Sequence, residues 1–196
     1  MQEDGNRRSN AARTAATRAD LIAAARALFT EKTYAGTSTP EIAAAAGVTR
    51  GALYHHFADK QALFLAVAER EAEIVAAEIE RAAPAAGDPV ATLLAGGRAF
   101  LEAMRAPGRT RLLLLDGPSV LGRAAMDDID ARHGNRTLRE GLVAAMRAGA
   151  IRNLPVDALT TQLGALFDRA ALAVEDGADA EAHLAVLAAL LEGLRR

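Results

Sequence analysis

Residues 38–57 contain the pattern that most limits how this chain can fold. Ser38 and Glu41 are spaced like the two members of a helix capping box, and Pro40 falls in the first turn, where its missing N–H costs nothing. The small residues that follow end at Gly47, and glycine reverses the chain at positive φ without strain. The pattern predicts a short helix that ends in a glycine turn.

A second short helix is predicted directly after this turn. Thr49 is a favourable N-cap, and Leu53 and Phe57, four residues apart, can face inward together. The outer face then carries Arg50, Gly51, Tyr54 and His55. A glycine inside a helix is costly unless another group approaches the backbone, and a phosphate or a base edge suits that position. We interpret the pair as a helix-turn-helix that presents its second helix to the major groove of DNA; a purely structural corner is the alternative.

Further positions along residues 14–65 follow one known family pattern closely and without gaps. They are Leu21, Ile22, Ala25, Leu28, Phe29, Tyr34, Ala35, Gly36, Thr37, Ser38, Ile42, Ala43, Ala46, Gly47, Val48, Thr49, Leu53, Tyr54, His56, Phe57, Lys60 and Leu63. In these residues the chain resembles the TetR family, the tetracycline-repressor-like regulators. The later part of the chain matches the family more loosely, by its pattern of helices.

The resemblance implies an all-helical homodimer in which a small N-terminal domain binds a DNA operator and a larger C-terminal domain binds a small-molecule effector. The family's DNA-contacting positions correspond to Ser38, Thr39, Thr49, Arg50, Gly51, Tyr54, His55 and Lys60. One departure is Thr33, where the family usually has glycine after the first helix. The expected function is a ligand-responsive transcriptional regulator, most often a repressor that binds a palindromic operator and is released by its effector.

Composition supports an all-α fold. Hydrophobic residues make up 51% of the 196 residues, and much of this share is alanine, which favours helix. Aromatic residues make up only 4%, and β-branched runs are short. The absence of cysteine excludes a disulfide framework and a thiolate metal site. Because the sequence contains neither a signal-like N-terminus nor a membrane-length apolar run, it predicts a cytoplasmic protein without a membrane segment. No cofactor or metal is expected.

The predicted architecture has about nine helices in two domains. Residues 1–13 are predicted to be a disordered arm, residues 14–60 a three-helix DNA-binding domain, and residues 61–196 a helical body for ligand binding and dimerisation. A long helix that starts at Asp59 and ends near Ala83 links the two domains. The other helices of the body are predicted at about 90–105, 109–115, 119–133, 135–148, 156–176 and 179–194.

Two sets of apolar residues in the body are candidates for binding. The last two helices carry apolar stripes that suggest a four-helix dimer interface, at Leu159, Leu163, Leu166, Leu184, Leu187, Leu191 and Leu194; burial of these stripes within one chain is the alternative. Candidates for the effector pocket are Phe100, Met104, Leu114, Leu121, Met126, Ile129, His133, Leu142, Met146 and Phe167. Only a minority of these residues are expected to touch a ligand, which is expected to be flexible and largely apolar.

Two other classes of protein fit the sequence less well. An enzyme could use the only dense polar cluster, which contains Asp130 and His133, but two ligands three residues apart are too few for a metal site, and no nucleophile motif is present, so no catalytic residue is predicted. A non-specific architectural DNA-binding protein should be strongly basic. The formal net charge is −2, with eight basic and six acidic residues among residues 1–60.

Overall fold

In the computed structural model the backbone is described for residues 2–82 and 87–196, and the side chains for residues 11–82 and 87–196. Over these residues the chain forms ten α-helices, one π-helical turn and no β-strand, so the predicted all-α class is confirmed. The helices are α1 (Gln2–Gly36), α2 (Thr39–Ala45), α3 (Arg50–His56), α4 (Lys60–Ala82), α5 (Pro89–Met104), α6 (Gly117–Leu121), α7 (Arg123–Arg132), α8 (Gly134–Arg147), α9 (Val156–Glu175) and α10 (Ala180–Glu192), with the π-helical turn at Arg111–Asp116.

The first helix is longer than the sequence predicts. The backbone of residues 2–13 is helical, whereas the sequence predicts a disordered arm there; Met1 lies outside the described residues. The physical reason is that alanine-rich residues 11–16 have high helix propensity and no helix breaker separates them from the first core residue, Leu21.

Near its end, α1 is interrupted by an unusual, non-helical backbone conformation at Thr33. Its φ is 68° and its ψ is 166°, a region that is essentially restricted to glycine. This is the position at which the sequence departs from the family pattern. The chain therefore leaves α1 with the geometry that a glycine would give, but a threonine adopts it. The Thr33 hydroxyl accepts a hydrogen bond from the Gly36 amide at 3.3 Å, which partly compensates for the strain.

We expect Thr33→Gly to raise the free energy of unfolding by about 1 kcal/mol. Strain in this region costs about 1–3 kcal/mol, which exceeds the combined loss of one long hydrogen bond and the greater freedom of glycine in the unfolded chain. Urea unfolding followed by circular dichroism measures the change. Thr33→Ala is the matched control, because it removes the hydroxyl and retains the strain, and should destabilise the protein. A glycine variant no more stable than the alanine variant would contradict the strain at Thr33.

The N-terminal helices share one core with the start of α4. Leu21, Phe29, Leu53 and Phe64 are fully buried there. The Phe29 and Phe64 rings lie 5.3 Å apart. Leu112, from the π-helical turn, is buried in the same cluster. The N-terminal helices are therefore packed directly onto the body.

The body places α4 against α5, and α5 in turn against α8, α9 and α10. The predicted helix at about 119–133 is broken in two at Gly122, whose φ is 84°, so α6 and α7 run in different directions. The other predicted boundaries in this region agree with the structure to within two residues, except that residues 111–116 form a π-helical turn. Among the described residues no helix is both long enough and apolar enough to cross a lipid bilayer.

A buried ionic cluster connects the two domains. The Glu71 carboxylate on α4 accepts hydrogen bonds from Arg109 Nε at 2.8 Å and from Arg26 Nε on α1 at 3.3 Å. Arg26 also donates to the carbonyl of Pro107 at 3.1 Å. Arg111 donates to the carbonyls of Phe29 and Thr30 on α1. The segment between α5 and α6 is thus tied to α1 by Arg26 and Arg111, and to α4 by Arg109.

The apolar stripes of α9 and α10 are mostly buried within the chain. Leu163, Leu187 and Leu191 are at most 5% exposed, so their assignment to a dimer interface is wrong. Leu159, Leu184 and Leu194 are partly buried against the same clusters. The reason is that the spacing of Leu184, Leu187, Leu191 and Leu194 suits packing on α5 as well as packing on a second chain. Of the predicted dimer residues only Leu166 is largely exposed, at 43%. Val186 and Leu190 on α10, which were not predicted to lie at the interface, are also exposed.

Candidate DNA-binding surface and ligand cavity

The local chemistry of α2 and α3 matches the predicted helix-turn-helix. Ser38 and Glu41 form the complete capping box, with the Ser38 amide donating to Glu41 Oε2 at 2.9 Å. Gly47 has φ 67°, which makes the turn. Thr49 caps α3 by accepting a hydrogen bond from the Ala52 amide at 3.1 Å. These short-range interactions fix the direction of α3, whose inward side is held by fully buried Leu53.

The opposite side of α3 is an open, polar surface. Thr49, Arg50, Gly51, Tyr54 and His55 are all exposed, and Tyr54 retains 42% of its accessible area. The Tyr54 and Thr39 hydroxyls are hydrogen-bonded at 3.0 Å, which ties α3 to α2. The Arg50 guanidinium lies 5.5 Å from the centre of the Tyr54 ring. The hydrogen bond with Thr39, followed by that with Arg50, lowers the pKa of the Tyr54 phenol.

Besides Thr49, Thr39 and Tyr54, two more of the eight predicted DNA contacts already have partners inside the protein, Lys60 and Ser38. Lys60 Nζ donates to the carbonyls of Tyr34 at 2.9 Å and Thr37 at 3.0 Å, where α1 ends. The Ser38 hydroxyl donates to Glu41 at 2.7 Å, and Glu41 also pairs with Lys32 at 3.0 Å. Lysine has three N–H donors, so Lys60 keeps one for a phosphate. The position of Lys60 in the sequence does not predict these hydrogen bonds to the carbonyls at the end of α1.

Gly51 is not required by the fold. An added Cβ at this position would have only the Thr49 hydroxyl oxygen within 4 Å, at 3.9 Å. Its backbone is that of an ordinary helix residue, so alanine would be more stable there. The glycine therefore costs stability in the free protein without a compensating internal contact.

A cavity of about 400 Å³ lies in the body between α4, α5, α8 and α9, with the end of α7 in its wall. Its apolar wall includes Ile79, Leu93, Phe100, Leu138 and Phe167. The Phe100 and Phe167 rings meet edge to face, with centroids 6.0 Å apart. Glycines also line it, at positions Gly96, Gly97, Gly134, Gly141 and Gly164. Their missing side chains help to leave this volume open where helices approach one another.

Two carboxylates lie in this wall, Asp130 on α7 and Asp168 on α9. Burial raises the pKa of Asp130 to about 6, with a further contribution from the charge of Asp127. Burial likewise raises the pKa of Asp168 to about 7, and the neighbouring charge of Asp130 adds to the shift. In the described part of the chain neither carboxylate has a hydrogen bond or an ion pair.

Most of the predicted pocket residues belong to the core instead. Phe100 and Phe167 line the cavity. The other eight do not line it. Met104, Met126 and Ile129 are buried in the core around Leu101 and Phe167, and Leu114 and Leu121 pack at the edge of that core. Leu142 and Met146 pack in a second core around Val90 and Leu163, and His133 pairs with Glu69. Apolar helix residues fill the core first, so hydrophobicity alone does not identify a cavity wall.

The acidic side of the cavity is not predicted from the sequence. Asp168 stands beside Phe167 on the inner face of α9, and Asp130 directly follows buried Ile129. An isolated acidic residue next to buried apolar residues of a helix is the one feature of the sequence that could have indicated this acidic wall. A cluster of three or more potential metal ligands is absent from the described residues.

The fold and these two sites define a helix-turn-helix protein whose helical body carries a ligand-sized cavity. The family model "Bacterial regulatory proteins, tetR family" matches residues 21–67, and "Tetracyclin repressor-like, C-terminal domain" matches residues 90–194. Since the second match alone covers more than half of the chain, this chain belongs to the TetR family, in agreement with the resemblance found in its sequence.

Individual relatives agree with this assignment. The HTH-type transcriptional regulator AcrR of Shigella flexneri is 41% identical over 99 residues, which cover 50% of this chain and 46% of that protein; the match thus spans about half of AcrR. The HTH-type transcriptional repressor AcnR of Corynebacterium diphtheriae is 29% identical over 189 residues, 91% of each protein. A crystal structure of a TetR-family regulator from Pectobacterium atrosepticum has a TM-score of 0.74 at 34% identity, covering 94% of this chain and 96% of that one.

Proposed function

We propose that this protein is a ligand-responsive transcriptional repressor that binds a palindromic operator as a homodimer in the cytoplasm. The observation that carries the proposal is the outer face of α3. Its cationic, hydroxyl and aromatic side chains are exposed, and Gly51 leaves the backbone open, while the inner face is fully buried. A helix held in this way can enter the major groove with its first residues at the base edges.

Dimerisation supplies the rest of the specificity. One short helix reads only a few base pairs. Two DNA-binding domains related by a two-fold axis read half-sites about 34–36 Å apart, or a multiple of that distance. The exposed apolar residues Leu166 on α9 and Val186 and Leu190 on α10 support a second chain packed on this side of the body. They replace the buried leucines of the sequence prediction.

The long helix α4 provides a mechanical route from the cavity to DNA. It begins at Lys60, beside the helix-turn-helix, and its last turns contribute Ile79 and Glu80 to the cavity wall. Glu71, midway along it, holds the arginines that tie α1 to the α5–α6 segment. A ligand that binds one position of α4 better than another shifts the spacing between the two DNA-binding domains of the dimer. A changed spacing no longer fits the operator half-sites, so the protein is released.

Selection of binding sites from random DNA duplexes tests the proposal. The expected result is a palindromic site that is bound by the dimer with a steep salt dependence, since each phosphate contact releases counterions. Sedimentation of the protein–DNA complex gives its stoichiometry. Recovery of no palindrome, with equal affinity for all duplexes, would contradict sequence-specific regulation and favour architectural binding.

Arg50→Ala should lower affinity for the selected operator by about 1–3 kcal/mol and relax the preference at one base position, because a bidentate contact from arginine to guanine is worth that much. Electrophoretic mobility shifts on operators with each base substituted measure both effects. Arg147→Ala is the control, because Arg147 is exposed on α8, far along the chain from the helix-turn-helix. A uniform loss of affinity without a change in base preference would mean that Arg50 contacts only phosphate.

A further inference from the structure

The cavity in the body carries a charge pattern that restricts its ligand. We propose that it binds an amphipathic organic cation, with the ammonium group between Asp130 and Asp168 and the apolar part against Phe100, Phe167 and Leu93. This inference rests on the proposed ligand-responsive function and adds the chemical class of the effector. It also revises the sequence expectation, which gave a largely apolar ligand without a charged group.

The shape and lining of the cavity suit a small organic molecule. Its volume of about 400 Å³ lies within the range of pockets that enclose drug-sized ligands. Phe100 and Phe167 present a continuous aromatic wall, and Ile79 and Leu138 extend the apolar surface. Such a wall favours the hydrocarbon part of a ligand but gives no preference between a cation, an alcohol and an acid.

The charges of the wall supply that preference. Every charged residue that lines the cavity is acidic: Glu80, Asp130, Glu140 and Asp168. Glu80 and Glu140 are both paired with Arg136, at 2.5 Å and 3.2 Å, so their charges are compensated within the protein. Asp130 and Asp168 have no such partner in the described part of the chain. The cavity wall therefore contains two carboxyl groups without a hydrogen-bonded or ion-paired partner, one on α7 and one on α9.

An empty cavity leaves this pair in an unfavourable state. The low-dielectric surroundings and the mutual repulsion oppose ionisation of both groups, which is why the pKa of Asp168 rises to about 7. The charged groups that act on the pair from the packed elements are Arg123, Asp127 and His133 around α7, and Glu80, Glu140 and Arg136 on α4 and α8. A bound ammonium reverses the situation, because it favours both carboxylates. An anionic ligand would require both acids to stay protonated.

Three probes with the same hydrocarbon chain test the charge preference directly: decylamine, decanol and decanoate. Isothermal titration of the full-length protein at pH 8 should give at least about tenfold tighter binding of decylamine than of decanol, and no saturable binding of decanoate. Titrations of decylamine at pH 6.5 in buffers of different ionisation enthalpy should also show proton release, because the ammonium draws protons off Asp130 and Asp168. Decanol should release none.

Asp130→Asn/Asp168→Asn separates charge from shape. The double variant should bind decanol as the wild type does, lose its preference for decylamine, and release no protons on binding. Asp176→Asn, which removes an exposed acid beyond the end of α9, should behave as the wild type. Circular dichroism establishes that each variant is folded. Equal affinities of the wild type for decylamine and decanol, tighter binding of decanoate, or a preference for decylamine that persists in the double variant would overturn the proposal.

The outcome is distinguishable from that of the proposed function. A protein that selects a palindromic operator but shows no preference for decylamine refutes the cationic ligand and leaves the DNA-binding role intact. A protein that binds decylamine through Asp130 and Asp168 but selects no operator supports the cavity inference and refutes the regulatory role.

Discussion

Gly51→Val should lower affinity for the selected operator by at least about 100-fold while leaving the free energy of unfolding within about 0.5 kcal/mol of the wild type. In the free protein an added side chain at this position meets open space, and valine is no worse a helix former than glycine. In the complex, the same side chain stands on the face of α3 that enters the groove. It would hold the backbone away from DNA and weaken several neighbouring contacts at once, which is why the effect should exceed that of Arg50→Ala.

Equilibrium binding and urea unfolding measured on the same preparation separate the two effects. Ala77→Val is the matched control, because it adds a β-branched side chain to an exposed position of α4, outside the helix-turn-helix. It should leave operator affinity unchanged. Gly51→Ala, with a smaller side chain, should show an intermediate loss of affinity together with a gain in stability. Wild-type affinity in Gly51→Val would mean that α3 does not approach DNA by this face.

The elements that could be predicted from the sequence depend on contacts between residues close in the chain. The capping box at Ser38 and Glu41, the turn at Gly47 and the cap at Thr49 each involve groups within a few residues of one another, so their spacing is sufficient. The same holds for the burial of Leu53 and the exposure of Tyr54 on opposite sides of α3. The fold class and the exposed face of α3 could therefore be predicted from the amino-acid sequence alone.

The cavity could not be predicted in this way, because it depends on which helix faces meet. Leu187 and Leu191 follow the same spacing whether they pack on α5 or on a second chain. Asp168 has the appearance of a solvated residue in the sequence, and only the folded chain brings it into the same cavity wall as Asp130. The packing partner of α10 and the surroundings of Asp168 both depend on which helices pack together, and a single sequence does not show that.

Arg109→Met should lower the free energy of unfolding by up to about 3–5 kcal/mol, the cost of leaving a buried charge without a partner, because only the longer bond from Arg26 to Glu71 would remain. Glu71 and Arg109 are 4% and 6% exposed, and Arg109 also donates to the carbonyl of Ala103 at 2.5 Å. Burial alone would raise the pKa of Glu71, but the hydrogen bonds from Arg109 and then Arg26 outweigh it and lower the pKa. The ion pair therefore stabilises the protein above the unfolded-state pKa of glutamate, and this stabilisation is lost as the pH falls through the lower folded-state value.

The variant should reverse this pH dependence. With Arg109 gone, only the longer hydrogen bond from the partly exposed Arg26 opposes the effect of burial on Glu71, so the pKa of Glu71 should rise. Protonation then relieves a poorly compensated buried charge, and the deficit relative to the wild type should shrink between pH 7 and pH 4. The double variant Glu71→Gln/Arg109→Met should be more stable at pH 7 than Arg109→Met alone, because the buried carboxylate charge is removed. Arg105→Met is the control: Arg105 forms an exposed pair with Glu102, worth less than about 1 kcal/mol. Urea unfolding across this pH range measures all four proteins, and a deficit that stays constant with pH would assign the loss to packing of the Arg109 side chain instead of its charge.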